Sequence, residues 1–225
     1  MTGESHVRMG RGNEDAWRAR ESADGASVAV ADGVGSAPQG RRGADAAVAA
    51  ATAVAGRWLQ HALPAESVPA AVTAEWLQQL EEVRLEDFST TVLLGAVRAD
   101  SAVLLAWLGD GLIRAQIGDA AWGSGLEEHG WGATPAMGTS VVDERWHVIT
   151  GEGFGVGDGI VLATDGVSED LDYPAIPALL AKVGAAVARE GAASVGRQLE
   201  DQLLQWRTPG CRDDRTLALL LGAAR

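Results

Sequence analysis

The chain has 225 residues, of which 47% are hydrophobic, and a formal net charge of −13. This length supports one large hydrophobic core and no linker-like stretch divides it, so we expect a single domain over residues 1–225. Lys182 is the single lysine, which argues against a nucleic-acid partner, because phosphate backbones are bound by clustered basic side chains.

The N-terminal residues, the apolar runs and the cysteine content predict the cellular compartment of the protein. Residues 1–6 lack the apolar segment of a signal peptide, and the longer Ala/Val/Leu runs are broken by charges or glycine. Cys211 is the only cysteine, which excludes an intrachain disulfide and suits a reducing compartment. We therefore predict a cytoplasmic protein with no membrane partner.

The first half of the chain begins with a polar segment, residues 1–25, that ends in the turn signal Asp24-Gly25. Within it, Asn13-Glu14-Asp15 is compatible with a helix N-cap or with a strand edge that presents Asp15 to the next strand. A short apolar strand then ends on Asp32. Helices are predicted over residues 43–63, ended by Pro64, and over residues 68–83, with residues 85–88 as the connection out of this pair.

The second half alternates short strands with helices. Strands are predicted over residues 89–97, 102–108, 112–117, 146–150, 160–164 and 216–221, and helices over residues 175–189 and 193–206. Residues 119–142 are the least regular stretch and are interpreted as a loop that covers a site or docks a partner. This order favours an α+β fold, a four-layer α-β-β-α sandwich of two antiparallel sheets flanked by helical pairs.

Aspartates follow three of the predicted strands. These strand-end aspartates are Asp32, Asp110 and Asp165, and each belongs to an Asp-Gly pair. Asp15 and Asp213 are further candidates for the same cluster. Asp-Gly is also a common turn dipeptide, which is our interpretation of Asp24-Gly25 and Asp158-Gly159. The strands before Asp32 and Asp165 are too apolar for ordinary exposed hairpins, and a buried carboxylate without a partner is costly. Oxygen-only ligands select Mg²⁺ or Mn²⁺, so we predict a metal cluster that activates water and clamps phosphoryl oxygens.

Other chemistries have weaker support. The chain has no phosphate-binding loop ending in Gly-Lys-Ser/Thr and no His-Glu-x-x-His motif. The glycines of residues 151–159 lack the spacing of a dinucleotide site and are interpreted as turns. Of the four histidines, His6 alone precedes the acidic triplet closely enough to reach the predicted site, and Cys211 is interpreted as a half-buried small residue.

The ordered motifs of the chain resemble those of the PP2C, or PPM, metal-dependent protein phosphatases. The residues that carry the resemblance are Asn13-Glu14-Asp15-Ala16, Ala31-Asp32-Gly33-Val34-Gly35, Thr90-Thr91, Leu108-Gly109-Asp110-Gly111, Thr164-Asp165-Gly166 and Arg212-Asp213-Asp214-Arg215-Thr216. Ser5-His6 and Gly35-Ser36-Ala37 are closest to the short bacterial branch. The resemblance implies the same α-β-β-α sandwich, with metals at one end of the sheets.

The resemblance also implies roles for individual residues. Asp32 would bridge two Mg²⁺ or Mn²⁺ ions, with the Gly33 carbonyl on the first ion. Asp15, Asp165 and Asp213 would hold the second, with Glu14 in an outer shell. Asp110 and Asp165 would form a third, weaker site, to which Glu169 is a less certain addition. The implied reaction is hydrolysis of phosphoserine or phosphothreonine by metal-activated water, with no phosphoenzyme.

The sequence departs from the family at three positions. Gly10 stands where many members have a phosphate-binding arginine, so Arg11 or Arg8 is expected to take that role, with His6 nearby. Val34 replaces a histidine of the eukaryotic members, and Asp214 replaces the usual asparagine. The implied partner is a phosphorylated protein, the substrate of a bacterial Ser/Thr kinase. A regulatory or adaptor module without turnover, and a phosphatase of small metabolites, are the alternative hypotheses.

Overall fold

The computed structural model describes residues 1–80, 84–124, 135–139, 145–206 and 213–223. Within these ranges the chain forms strands, α-helices and short 3-10 helices. The strands are β1 (Asp15–Ser22), β2 (Gly25–Asp32), β3 (Val92–Arg98), β4 (Val103–Leu108), β5 (Leu112–Ile117), β6 (Ala120–Gly123), β7 (His147–Gly151), β8 (Gly159–Ala163) and β9 (Leu217–Leu221). The helices are α1 (Glu4–Met9), α2 (Gly40–Leu59), α3 (Val68–Leu80), α4 (Asp165–Ser168), α5 (Ile176–Glu190) and α6 (Ala192–Gln205).

The strands form two antiparallel sheets. The first has the order β1-β2-β3-β4-β7 and the second the order β6-β5-β8-β9. Hairpins join β1 to β2 and β3 to β4 in the first sheet, as when Ser22 pairs with Gly25 across the β1–β2 turn. The second sheet is assembled from more distant segments, because β8 lies between β5 and β9 and pairs with both.

Hydrophobic layers hold these sheets and helices together. Alanines along α2, such as Ala47 and Ala51, are fully buried and pack with Leu94 and Leu104 of the first sheet. Small side chains let this helix lie close to the strands, so that many weak dispersion contacts add up. Trp76 of α3 donates a hydrogen bond from Nε1 to the Gly43 carbonyl at 3.0 Å, which fixes α3 against α2.

A second layer of apolar side chains fills the space between the sheets, where Val30 and Leu105 of the first sheet meet Ile160 and Leu162 of the second. A third lies on the far face of the second sheet and includes Leu180 of α5. Because side chains alternate between the two faces of a strand, each sheet contributes to two hydrophobic layers. The predicted four-layer α-β-β-α arrangement is confirmed.

Three local predictions differ from the structure. The irregular stretch 119–142 contains a strand, since Ala120–Gly123 pairs with β5; residues 125–134 and 140–144 lie outside the described residues. Helix α2 ends at Leu59 rather than at residue 63, because the chain turns at His61, whose φ is 57°. Helix α1 was not predicted. Of the two interpretations of Asn13-Glu14-Asp15, the structure shows the strand edge, because Asp15 begins β1.

Candidate metal centre

One end of the β1–β2 hairpin brings two candidate aspartates together. Asp15 is the first residue of β1 and pairs directly with Asp32, the last residue of β2. Neighbouring threonines fix the Asp32 backbone: Asp32 N donates to Thr91 Oγ1 at 3.0 Å, and Thr90 Oγ1 donates to the Asp32 carbonyl at 2.8 Å. Antiparallel pairing thus places two carboxyl groups of the first sheet at the same edge.

The residue after Asp32 explains why this edge also meets helix α2. Gly33 N donates to the Glu14 carbonyl at 3.2 Å, and a Cβ added to Gly33 would lie 2.4 Å from the Gly40 carbonyl carbon. Only glycine allows this approach of two backbone segments. The contact places the first turn of α2 beside the Asp15–Asp32 pair.

The second sheet contributes Asp165, which follows β8 and begins the short helix α4. A Cβ on the next residue, Gly166, would lie 1.9 Å from the Asp214 carbonyl oxygen, so glycine is required for α4 to pack against the segment that carries Asp213. Thr164 Oγ1 donates to Asp15 Oδ2 at 2.8 Å. This hydrogen bond joins the two sheets directly at the site.

The electrostatics of these groups show that they converge. Burial, followed by repulsion from Asp15, Asp165 and Asp213, raises the pKa of Asp32 to about 10. Burial and then repulsion from Asp110 and Asp213 raise the pKa of Asp165 to about 7. Burial also raises the pKa of Asp15 to about 6, against the lowering effect of the Thr164 hydrogen bond. We call Asp15, Asp32, Asp110, Asp165 and Asp213 the aspartate cluster.

The aspartate cluster fits hard divalent cations. Its donors are all oxygen atoms, which suits Mg²⁺ or Mn²⁺. Among the described residues, Asp15 Oδ1 and the adjacent Glu14 Oε2 are buried side-chain oxygens with no hydrogen-bond partner. Such lone pairs are costly to bury unless a ligand uses them. The same carboxylates that repel one another in the metal-free chain would be stabilised by bound cations.

Asp214 connects both ends of the chain at the edge of the cluster. It is 1% exposed, and its carboxylate accepts hydrogen bonds from Gly3 N at 2.6 Å, His6 Nδ1 at 2.8 Å and Glu14 N at 2.5 Å. The predicted site residue His6 is therefore buried against Asp214. Asp213 itself is half-exposed, and its Oδ1 accepts from Asp214 N at 2.9 Å.

The two arginines that were candidate phosphate ligands differ in position. Arg11 lies beside the cluster, where its guanidinium contacts Glu14 Oε1 at 2.7 Å and the Gly35 carbonyl at 2.6 Å. Arg8 is largely exposed on α1 and contacts Glu4 at 3.5 Å. Glu169, the less certain third-site residue, follows α4 with an exposed side chain, and Cys211 lies outside the described residues.

Sequence reasoning missed Arg41, which lies in the first turn of α2. Its Nη1 donates to the Asn13 carbonyl at 3.0 Å and to the Asp15 carbonyl at 2.9 Å. A signal was present, because a basic residue in the first turn of a helix opposes the helix dipole and needs another reason to be there. The hydrogen bond from the Thr164 hydroxyl and the three hydrogen bonds to Asp214 were also missed, because most of them join segments that are far apart in the sequence.

Comparisons with known proteins agree with this geometry. A sequence profile of the family described as Protein phosphatase 2C matches residues 2–204. A crystal structure of a bacterial serine phosphatase superposes with a TM-score of 0.67 at 18% identity, covering 100% of this chain and 97% of that chain. RsbX in complex with magnesium gives 0.55 at 16% identity, with coverage of 92% and 86%.

A structure described under the bacterial stressosome gives a TM-score of 0.61 at 18% identity and covers 92% of this chain and 90% of the other. A search of curated protein sequences found no significant match. Among the described residues, no helix is long and apolar enough to cross a membrane.

Proposed function

Because the chain belongs to the protein phosphatase 2C family, we propose that it is a metal-dependent phosphatase that hydrolyses phosphoserine or phosphothreonine in proteins. The observation that carries the proposal is the aspartate cluster. Its members come from both sheets and from distant parts of the sequence, yet burial and mutual repulsion couple Asp32 to Asp15, Asp165 and Asp213. Buried carboxylates in such proximity are a common feature of sites that bind catalytic cations.

In this proposal the aspartate cluster holds two Mg²⁺ or Mn²⁺ ions. Asp32 and the Gly33 carbonyl would hold the first ion, and Asp32 together with Asp15, Asp165 and Asp213 would hold the second. Asp110 and Asp165 would hold a third ion more weakly. Bound there, the ions would lower the pKa of water and neutralise charge on the phosphoryl oxygens.

The other residues orient this site and bind the substrate. Thr164 donates to one oxygen of Asp15, and the other oxygen is buried without a hydrogen-bond partner among the described residues. Arg11 and Arg41 border the cluster, and we propose that their planar guanidinium groups bind the phosphoryl group in place of the arginine absent at Gly10. The seryl or threonyl oxygen that leaves would then take its proton from water, since Val34 stands at the position of the family's histidine.

The proposed partner is a phosphoprotein made by a bacterial Ser/Thr kinase, and the proposed location is the cytoplasm. Support comes from the structural neighbours, which include a bacterial serine phosphatase and a structure from work on the stressosome. These neighbours share less than a fifth of their residues with this chain, so they support the fold more strongly than any one substrate.

The direct test is hydrolysis of phosphoserine and phosphothreonine peptides, and of p-nitrophenyl phosphate, by the purified protein. We expect turnover with Mn²⁺ or Mg²⁺, none after EDTA treatment, and none for Asp165→Asn. Sugar and nucleotide phosphates run in parallel would reveal a phosphatase of small metabolites. Tight metal binding without turnover on any of these substrates would instead favour a regulatory or adaptor module, and turnover that survives both EDTA and Asp165→Asn would exclude the mechanism.

A further inference from the structure

His6 lies in an unusual position at the edge of the aspartate cluster. Its side chain is 9% exposed, and its two ring nitrogens face different partners. Nδ1 lies 2.8 Å from Asp214 Oδ2, whereas Nε2 lies 3.9 Å from both Glu14 Oε2 and Asp213 Oδ1. The imidazole therefore lies between the carboxylate of Asp214 on one side and two carboxylate oxygens on the other.

The hydrogen bonds of Asp214 decide which nitrogen carries the proton. Oδ1 accepts from Gly3 N, and Oδ2 accepts from Glu14 N as well as facing Nδ1. Backbone N–H groups can only donate, so Asp214 acts as the acceptor throughout and Nδ1 is the donor to it. In the neutral ring this leaves the lone pair on Nε2, directed between Glu14 and Asp213.

The carboxylate oxygen that Nε2 faces is itself unsatisfied. Glu14 Oε2 is a buried oxygen without a hydrogen-bond partner among the described residues, while Glu14 Oε1 pairs with Arg11. The separation of 3.9 Å is too long for a hydrogen bond from Nε2. Two atoms that bind one ion with bonds of about 2.0–2.2 Å lie about 3.0–3.5 Å apart at tetrahedral or octahedral angles, so these side chains would move closer by about half an ångström when an ion binds between them.

We propose that His6 Nε2, Glu14 Oε2 and Asp213 Oδ1 form a nitrogen-containing site for a divalent transition-metal ion at the edge of the aspartate cluster. Asp214 is a positioning residue in this site: it fixes the ring and its tautomer, as carboxylates behind metal-bound histidines do. We assign Asp214 this role because it is 1% exposed and because three N–H groups, one of them His6 Nδ1–H, hold its carboxylate in place. The imidazole makes this site prefer Mn²⁺ and later transition metals over Mg²⁺, which favours oxygen ligands.

This arrangement also explains why aspartate stands at position 214. Three N–H groups point at its two oxygens, so an asparagine would turn its amide N–H₂ toward at least one of them. The inference shares Asp213 with the proposed phosphatase site but does not depend on turnover.

The test measures nitrogen coordination directly. Protein loaded with Mn²⁺ alone is studied by pulsed electron paramagnetic resonance, in which a coordinated ¹⁴N nucleus modulates the electron spin echo. We expect this modulation in the unmodified chain and its replacement by a ¹⁵N pattern when the protein is made with [¹⁵N]histidine. Because the labelled protein has the native sequence, this result does not depend on whether a variant folds.

Two matched variants identify the histidine. His6→Asn keeps a donor near the position of Nδ1 and removes Nε2, so the modulation should disappear and calorimetry should show one Mn²⁺ site weakened by at least about 10-fold. His61→Asn changes a histidine that is exposed and remote from Glu14 and should alter neither result. Asp214→Asn should weaken the same site by about 10–100-fold.

The outcomes separate this inference from the proposed function. Mn²⁺-dependent turnover without any nitrogen modulation would overturn the His6 site and leave the phosphatase proposal intact. Nitrogen modulation that is lost in His6→Asn, in a protein with no phosphatase activity, would support the site and overturn the phosphatase. Modulation that persists in His6→Asn would assign the nitrogen to another residue and also overturn the inference.

Discussion

Strands β2 and β8 have Asp-Gly pairs near both of their ends, and the two ends differ completely in chemistry. Asp24-Gly25 and Asp158-Gly159 lie where the strands begin, whereas Asp32-Gly33 and Asp165-Gly166 lie where they end. At the beginning of β8, Asp158 Oδ1 accepts from Gly118 N and Oδ2 from Gly155 N, each at 2.8 Å. At the other end, carboxylates face one another.

This comparison shows that the dipeptide does not determine the role of its aspartate. Both carboxylate oxygens of Asp158 accept hydrogen bonds from backbone amides, so this side chain stabilises local turns. Asp32 and Asp165 lie among other carboxylates, and burial with mutual repulsion raises their pKa values to about 10 and about 7. Whether an aspartate is structural or a candidate metal ligand therefore depends on the groups that the fold places around it.

The largest effect should come from replacing the aspartate by asparagine at the two kinds of strand end, at Asp32 where β2 ends and at Asp158 where β8 begins. Asp32→Asn removes the proposed bridging ligand, and since a bound metal supplies several kcal/mol of transition-state stabilisation, we expect phosphatase activity to fall by at least about 10³-fold. Asp158→Asn should retain activity close to that of the unmodified chain. It should instead lose about 1–2 kcal/mol of unfolding free energy, because its amide group faces an N–H donor.

Activity assays and urea unfolding of both variants check this prediction. The metal-free form of Asp32→Asn should be at least as stable as the unmodified chain at pH 8, because the substitution relieves repulsion within the cluster. Equal loss of activity in both variants would mean that the two ends are not functionally different.

A second prediction concerns the pH dependence of the metal-free protein. The pKa values of Asp15, Asp165 and Asp32 are raised from 3.8 to about 6, 7 and 10, so above pH 4 the folded chain binds more protons than the unfolded chain. Stability from these groups is therefore greatest below pH 4 and is lost as the pH rises through 6 and 7 and on toward 10. Between pH 5 and pH 8 the three raised pKa values, taken one by one, would add up to a loss of about 8 kcal/mol; the carboxylates titrate together, so we expect a loss of at least about 2 kcal/mol, which lowers Tm by at least about 4–8 °C.

Thermal unfolding in EDTA at the two pH values measures this loss, and the same experiment in Mn²⁺ provides the control. Bound cations favour ionised carboxylates, so saturating metal should reduce or reverse the difference. Asp158→Asn should show the same pH dependence as the unmodified chain. A metal-free protein whose Tm rises from pH 5 to pH 8 would contradict the repulsion described for the cluster.

Much of this fold follows from local patterns in the sequence. Hairpin spacing predicted strands such as Leu112–Ile117, which the structure reproduces at the same bounds, and apolar strands followed by Asp-Gly marked Asp32 and Asp165 as unusual. These features depend on side chains close together in the chain, where periodicity and turn chemistry act. They were sufficient to identify Asp32 and Asp165 as candidate metal ligands.

The rest of the site depends on contacts that local patterns do not encode. Asp214 hydrogen-bonds to Gly3, 211 residues away, and Thr164 reaches Asp15 across 149 residues. Arg41 joins the site only because Gly33 and Gly40 pack backbone against backbone. Such contacts are set by how the two sheets pack, and packing is a property of the whole fold rather than of a segment.

The smallest effect is expected from the residue that precedes Asp165. Of the five residues before the Asp-Gly pairs of the chain, Thr164 alone has a polar side chain. It donates to Asp15 Oδ2 at 2.8 Å and accepts from Thr216 N at 3.0 Å. Thr164→Val leaves Asp15 Oδ2 and Thr216 N without this partner and should cost about 1–2 kcal/mol of unfolding free energy, with a further rise in the pKa of Asp15.

Thr164→Ser is the control, because it keeps the hydroxyl and should recover most of that stability. Mn²⁺ affinity, measured by calorimetry, should fall in the valine variant and stay near the native value in the serine variant. Equal affinities in all three proteins would show that the cluster does not depend on this link between the sheets.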